Sequence, residues 1–142
     1  MTTMKSTRCG WLASVPGVLL LAGCGGAGLY PVEGQVVWKD GQPAKEIAGA
    51  QITFEMEGKS SSHGSLKPDG TFTLSTGERA GAPAGDYTVL IIEVGRKSIG
   101  ETGIEPAKID LRYATPSTSG LTAKVKPGKN EIRLEVDRAP KM

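Results

Sequence analysis

Residues 50–57 read Ala50-Gln51-Ile52-Thr53-Phe54-Glu55-Met56-Glu57, with apolar and polar side chains alternating at every step. Successive side chains of an extended strand point to opposite faces. Ala50, Ile52, Phe54 and Met56 therefore share one face, and Gln51, Thr53, Glu55 and Glu57 the other. A helix would scatter the same four apolar residues around its circumference. The stretch predicts a strand with one face buried, and a strand of that kind needs partners on both edges and a second layer over its apolar face.

Outward from this stretch the same pattern recurs. Upstream, Val32, Gly34, Val36 and Trp38 alternate with Glu33, Gln35, Val37 and Lys39, and Lys39-Asp40-Gly41-Gln42-Pro43 supplies a turn. Downstream, the polar residues 58–65 lead to a turn in which Pro68 presets φ, Asp69 suits the second position and Gly70 accepts positive φ, returning the chain into Thr71-Phe72-Thr73-Leu74-Ser75. Residues 77–85 form a small-residue loop containing Pro83. They precede Tyr87-Thr88-Val89-Leu90-Ile91-Ile92, apolar on both faces as in a central strand. Residues 95–106 predict the longest irregular connection, and residues 106–112 a single helical turn opened by Pro106. Leu121, Ala123 and Val125 then alternate with Thr122, Lys124 and Lys126. Pro127-Gly128-Lys129-Asn130 predicts a hairpin turn into Ile132, Leu134 and Val136. Seven short strands and no competing helical period give an all-β reading, a seven-stranded antiparallel β-sandwich over residues 31–138, with residues 139–142 as a tail.

The amino terminus has a different grammar. Residues 1–8 carry Lys5 and Arg8 and no acid, and residues 11–22 are an apolar run too short to span a bilayer. These are the first two regions of a secretory signal peptide. The run closes on Leu21-Ala22-Gly23-Cys24, which resembles the bacterial lipobox. That resemblance implies a signal peptide over residues 1–23, cleavage before Cys24, and a diacylglyceryl thioether on its sulfur. Each buried CH₂ of an acyl chain contributes about 0.8 kcal/mol, so two or three chains anchor without spanning. Residues 24–30 then read as the lipidated Cys and a flexible tether. Its glycine-rich part reaches roughly 15 to 20 Å, which places the domain close to the lipid surface.

Processing changes what composition means. The chain of 142 residues holds 17 Lys and Arg against 15 Asp and Glu, and removal of Lys5 and Arg8 leaves a neutral domain. A neutral domain gives no support for nucleic-acid binding, and Lys124, Lys126 and Lys129 read as a solvated strand face. Cys9 departs with the signal and Cys24 carries lipid, so no disulfide remains and stability must come from the core. The 20 Gly and 9 Pro, without a Gly-X-Y period, fit many tight turns and exclude collagen.

Gly34-Gln35-Val36-Val37, Asp40-Gly41-Gln42-Pro43, Gly49-Ala50-Gln51-Ile52-Thr53-Phe54, Asp69-Gly70-Thr71-Phe72 and Pro83-Ala84-Gly85-Asp86-Tyr87-Thr88-Val89, in that order, resemble the carboxypeptidase regulatory-like domain. The resemblance covers nearly all of residues 30–137. It implies a transthyretin-like (prealbumin-like) Greek-key sandwich of seven strands, found also in small bacterial lipoproteins. It implies architecture rather than chemistry, since the domain is an accessory to metallocarboxypeptidases. The fold also hosts hydroxyisourate hydrolases, whose histidines near the first and last strands and Tyr-Arg-Gly-Ser tail are missing here. This chain has one His, outside those strands, and ends Asp137-Arg138-Ala139-Pro140-Lys141-Met142.

Candidate chemistry is sparse. His63, within Ser60-Ser61-Ser62-His63-Gly64-Ser65, has neighbouring hydroxyls but no acid to orient it, and reads as a solvated loop or edge residue. One His and no free Cys do not build the usual zinc sites. Asp40, Asp69 and Asp86 each lie beside a Gly and read as turn formers rather than calcium ligands. No catalytic residue, metal or cofactor is expected. Trp38 and Tyr87 fall at core positions, while Tyr30 and Tyr113 are candidate exposed platforms for an envelope glycan or polymer. The expectation is an exported, non-enzymatic protein, lipid-anchored through Cys24 to the outer or cytoplasmic membrane of a bacterium and facing the periplasm or the surface. There it would serve as a structural or protein-interaction module. Glycan binding is the alternative function.

Overall fold

The computed structural model describes residues 28–96, 98–99 and 103–141. The signal peptide over residues 1–23 and the lipidated Cys24 with most of its tether lie outside them. In chain order the strands are β1 (Leu29–Tyr30), β2 (Val32–Trp38), β3 (Gln51–Glu55), β4 (Ser62–Ser65), β5 (Thr71–Thr73), β6 (Ser75–Thr76), β7 (Arg79–Ala80), β8 (Ala82–Pro83), β9 (Gly85–Ile92), β10 (Ser98–Ile99), β11 (Gly103–Ile104), β12 (Thr122–Val125) and β13 (Asn130–Val136). A six-stranded sheet runs β12-β9-β3-β4-β6-β7 and a three-stranded sheet runs β13-β2-β5, with two-residue ribbons β1-β8 and β10-β11 beside them.

The alternation that predicts β2 and β3 places their apolar faces inward. Val32, Val36 and Trp38 of β2 are buried, as are Ile52 and Phe54 of β3 and the flanking Ala50. The two sheets meet at their aromatic residues. Phe54 of the larger sheet packs on Phe72 of the smaller one with ring centroids 6.1 Å apart, and on Tyr87 of β9 at 5.7 Å. Val89, Ile91, Leu134 and Val136 complete the layer between them, so the domain is an all-β sandwich with a single core. Gly70 adopts φ of 87° in the turn before β5, as the Pro68-Asp69-Gly70 signal predicts.

Several expectations need correction. The sandwich is not wholly antiparallel, because β13 pairs β2 in parallel from Asn130↔Val32 to Val136↔Trp38. Nor do residues 121–136 form a hairpin. β12 pairs β9 in the larger sheet, and the turn after it carries the chain across to the smaller sheet. Beside β2, Leu134 and Val136 are buried on the core side of the smaller sheet. The polar residues 58–65 contain strand β4, and the loop over residues 77–85 contains β7 and β8. Pro106 opens no helix. The 3-10 turn is Leu111–Ala114, entered through the Asp110 carboxylate, which accepts from the Arg112 N–H at 3.0 Å, and a four-residue helix Pro116–Ser119 follows. Leu29 and Tyr30, assigned to the tether, form β1 and pair with Pro83 and Ala82.

Candidate functional site

Cys24 lies outside the described residues, so lipidation has no geometry here. The platform residues do not survive together. Tyr113 is 2% exposed, seated in the core from the 3-10 turn, so it presents no ring face to a sugar. Its hydroxyl receives hydrogen bonds from Arg112 Nη2 at 2.7 Å and the Asp137 N–H at 3.1 Å, and donates to Asp137 Oδ2 at 3.1 Å. Tyr30 is half-buried, packed against the same core. Trp38 and Tyr87 are buried. Tyr87 donates to the Pro83 carbonyl at 2.7 Å, and burial raises its pKa, only partly offset by hydrogen bonding to Ser62.

His63 lies on β4, opposite Thr53 of β3, and is exposed. Its Nδ1 is 3.2 Å from Thr53 Oγ1, a neutral and nearly buried hydroxyl. Among the described residues no carboxylate hydrogen-bonds the ring. The shallow hollow beside it, about 330 Å³, is lined by Gly49, Gln51, Ser65 and Val94 and contains no second titratable group. Among the described residues the ring therefore lacks the acid that orients the base of a Ser-His-Asp arrangement.

The aspartates are committed locally. Asp69 accepts from the Thr71 hydroxyl at 2.6 Å and the Thr71 N–H at 3.0 Å, which together hold its carboxyl below the ordinary value. Asp40 accepts from the Gln42 N–H and from Arg138 Nη1 at 2.8 Å, with the same effect. Asp86 sits in strand β9 opposite Lys124 rather than in a turn. No three His, Cys, Asp or Glu side chains converge among the described residues.

The densest polar cluster has no counterpart in the sequence reading. Asp137 gathers Lys39 Nζ at 2.8 Å, the Arg112 guanidinium and the Tyr113 hydroxyl. Beside it, Arg138 lies over the Trp38 ring at 4.5 Å and pairs with Asp40 and Glu46. Every charge in it faces an opposite one, so the cluster pins the end of β13 to the turn after β2. Its members are scattered from Lys39 to Arg138, and no local spacing reports them. A concavity of about 550 Å³ is a shallow trough along the smaller sheet, where Glu33, Lys67, Glu131 and Arg133 mix both signs. No helix among the described residues is long and apolar enough to cross a membrane.

No family model matches the chain, and no curated protein does. Among solved structures, a DUF3823 family protein from Parabacteroides merdae ATCC 43184 is similar at 19% identity and a TM-score of 0.47, over 80% of this chain and 48% of that one. The chain thus spans about half the length of that structure. So distant a likeness assigns neither family nor activity, and the fold stands on the strand topology above.

Proposed function

We propose that this chain is an exported β-sandwich of the carboxypeptidase regulatory-like type, anchored by lipid on Cys24 and acting without catalysis as a structural or protein-interaction module at a bacterial envelope. The observation that carries the reading is the Leu21-Ala22-Gly23-Cys24 sequence behind a basic start and a short apolar run. β1 begins at Leu29, so a sandwich starts within a few residues of the attachment point. Acyl chains on Cys24 would hold the domain near the lipid surface. A non-catalytic role is supported by the isolation of His63 and by the mutual neutralisation of Asp137, Arg112, Lys39, Asp40 and Arg138. A glycan platform loses Tyr113 to the core and retains only the half-buried Tyr30.

Membrane fractionation and metabolic labelling with a fatty acid test the anchor in bacteria expressing the full chain. The parent protein is expected in the membrane fraction with label, and Cys24→Ala in the soluble fraction or retained as unlabelled precursor. An unlabelled parent, or equal labelling of Cys24→Ala, would overturn the reading.

A further inference from the structure

β13 is the longest strand with an unpaired edge. It pairs β2 without a bulge through seven residues, Asn130–Val136, carries no Gly or Pro, and has no second neighbour among the described strands. Its even-numbered residues address β2, because the Asn130 N–H donates to the Pro31 carbonyl and the Val136 carbonyl accepts from the Lys39 N–H. The odd-numbered Glu131, Arg133 and Glu135 therefore turn their backbone N–H and C=O groups to the open side. Beyond Val136 that side is closed, since the Asp137 carbonyl accepts from the Asp110 N–H at 3.2 Å and Ala139 donates to Lys108 at 2.8 Å. An open edge of this length is a template for another strand.

We propose that this edge pairs with the same edge of a second copy of the chain, antiparallel and centred on Ile132, to give a two-fold dimer with a continuous six-stranded sheet. The charge pattern selects the partner and the register. Centred on Ile132, Glu131 faces Arg133 of the second copy and Lys129 faces its Glu135. The two-fold axis repeats both pairs, so all four opposed pairs are of opposite sign. All are odd-numbered residues, which are the ones that exchange two backbone hydrogen bonds per pair in this arrangement.

Neighbouring registers form fewer attractive pairs. Centring on Arg133 sets that residue against itself and Glu131 against Glu135, and centring on Glu131 sets Lys129 against Arg133. Centring on Leu134 opposes Glu131 to Asp137, whose carbonyl is already occupied. Centring on Ile132 makes four attractive pairs, against two for centring on Asn130, and two offset by the Glu131–Asp137 repulsions for centring on Leu134. The present partners of these side chains are weak competitors. Arg133 and Glu135 lie 3.8 Å apart and Lys129 and Glu33 3.9 Å apart, all more than half exposed.

The proposal rests on the fold alone and is independent of the lipid anchor. In the dimer Ile132 faces its own copy at a non-hydrogen-bonded position, where Cα atoms stand about 4.5 Å apart, within disulfide reach. Ile132→Cys in the full chain is expected to yield a disulfide-linked dimer on mild oxidation, above the background set by the parent with its Cys9 and Cys24. Lys124→Cys, on the exposed edge of the other sheet, is expected not to. Adding Arg133→Glu, or separately Glu131→Arg, should lower the linked fraction by about tenfold or more. The double reversal Glu131→Arg with Arg133→Glu should restore it, and so should mixing the two single variants. Thermal melts of each variant establish folding. A linked fraction for Ile132→Cys no higher than for the parent or Lys124→Cys, or one indifferent to Arg133→Glu, would overturn the proposal, as would failure of a folded double reversal to recover. A heterologous extended peptide on the same edge would show as protection of β13 without Ile132 linkage, which also counts against it. Membrane partitioning should be unchanged throughout, so a failure of the anchor is separable from a failure of the dimer.

Discussion

The Tyr113 hydroxyl and Asp137 are bonded twice, the carboxylate accepting from the hydroxyl and the hydroxyl accepting from the Asp137 N–H, each at 3.1 Å. This pair ties the 3-10 turn to the end of β13 and explains why a tyrosine is used at a buried position. Tyr113→Phe keeps the ring in the core but leaves the Asp137 N–H without its acceptor and removes one donor from the carboxylate. An exchange that strands a partner costs about 1–3 kcal/mol. Urea unfolding of the variant should show a lower midpoint with an unchanged slope. An unchanged midpoint would mean that water replaces the hydroxyl fully.

Acid sensitivity follows from three carboxylates. Asp137 is held below 3.8 chiefly by its hydrogen bond to the Lys39 ammonium, with Tyr113 and Arg112 adding to the effect. The Thr71 side chain does the same for Asp69, and the Gln42 N–H for Asp40. Each folded-state pKa lies below the unfolded value, so the unfolded chain binds more protons in this range. The stability these groups contribute is present above about pH 4 and is lost as pH falls through the lowered values. The denaturation midpoint should therefore decline on acidification below about pH 4, and Asp137→Asn should make that decline shallower. A variant with the same pH profile as the parent would remove Asp137 from this account.

Gly34 of β2 pairs with Phe72 of β5, and a Cβ on Gly34 would overlap the Phe72 ring and stand 2.7 Å from the Ile132 carbonyl oxygen. The glycine lets an aromatic side chain lie across the strand and reach Phe54 in the facing sheet. Gly34→Ala should destabilise by about 1–3 kcal/mol through overpacking. Phe72→Leu in the same chain should recover part of that loss, and a double-mutant cycle measures the coupling. Strict additivity would show that the two positions do not share the strain.

What could be read from the sequence was whatever alternation encodes. β2 and β3 announce themselves because one face is apolar and the other is not, and Pro68-Asp69-Gly70 dictates its turn through φ alone. β4 was invisible because Ser62-His63-Gly64-Ser65 has no apolar face. Its inward Ser62 is buried and satisfied by the Thr76 hydroxyl at 2.8 Å, a partner that hydrophobic periodicity cannot report. Tyr113 reads as exposed for a related reason, since its partner Asp137 is remote in sequence and unmarked by any motif. The polar pinning cluster escaped altogether, whereas the candidate edge of β13 was already written in Lys129, Glu131, Arg133 and Glu135 and needed only the topology to show that it is open.

The crossing from β12 to β13 depends on Asn130. Its side-chain carbonyl accepts from the Lys126 N–H at 2.8 Å, and its amide donates to the Lys126 and Gly128 carbonyls at 2.9 and 3.0 Å. A tight hairpin would have satisfied those backbone groups by strand pairing. An arch between two sheets cannot, and a nearly buried asparagine supplies the bonds instead. The turn sequence Pro127-Gly128-Lys129-Asn130 suits either geometry locally, and in the folded chain it leads into the parallel pairing of β13 with β2. Asn130→Ala removes these three bonds and the amide's 3.3 Å bond to the Pro31 carbonyl together, and should cost about 2–3 kcal/mol. Amide exchange should accelerate first at Lys126 and along β13, ahead of β3 and β9. Uniform acceleration across both sheets would instead mean that the arch opens only with global unfolding.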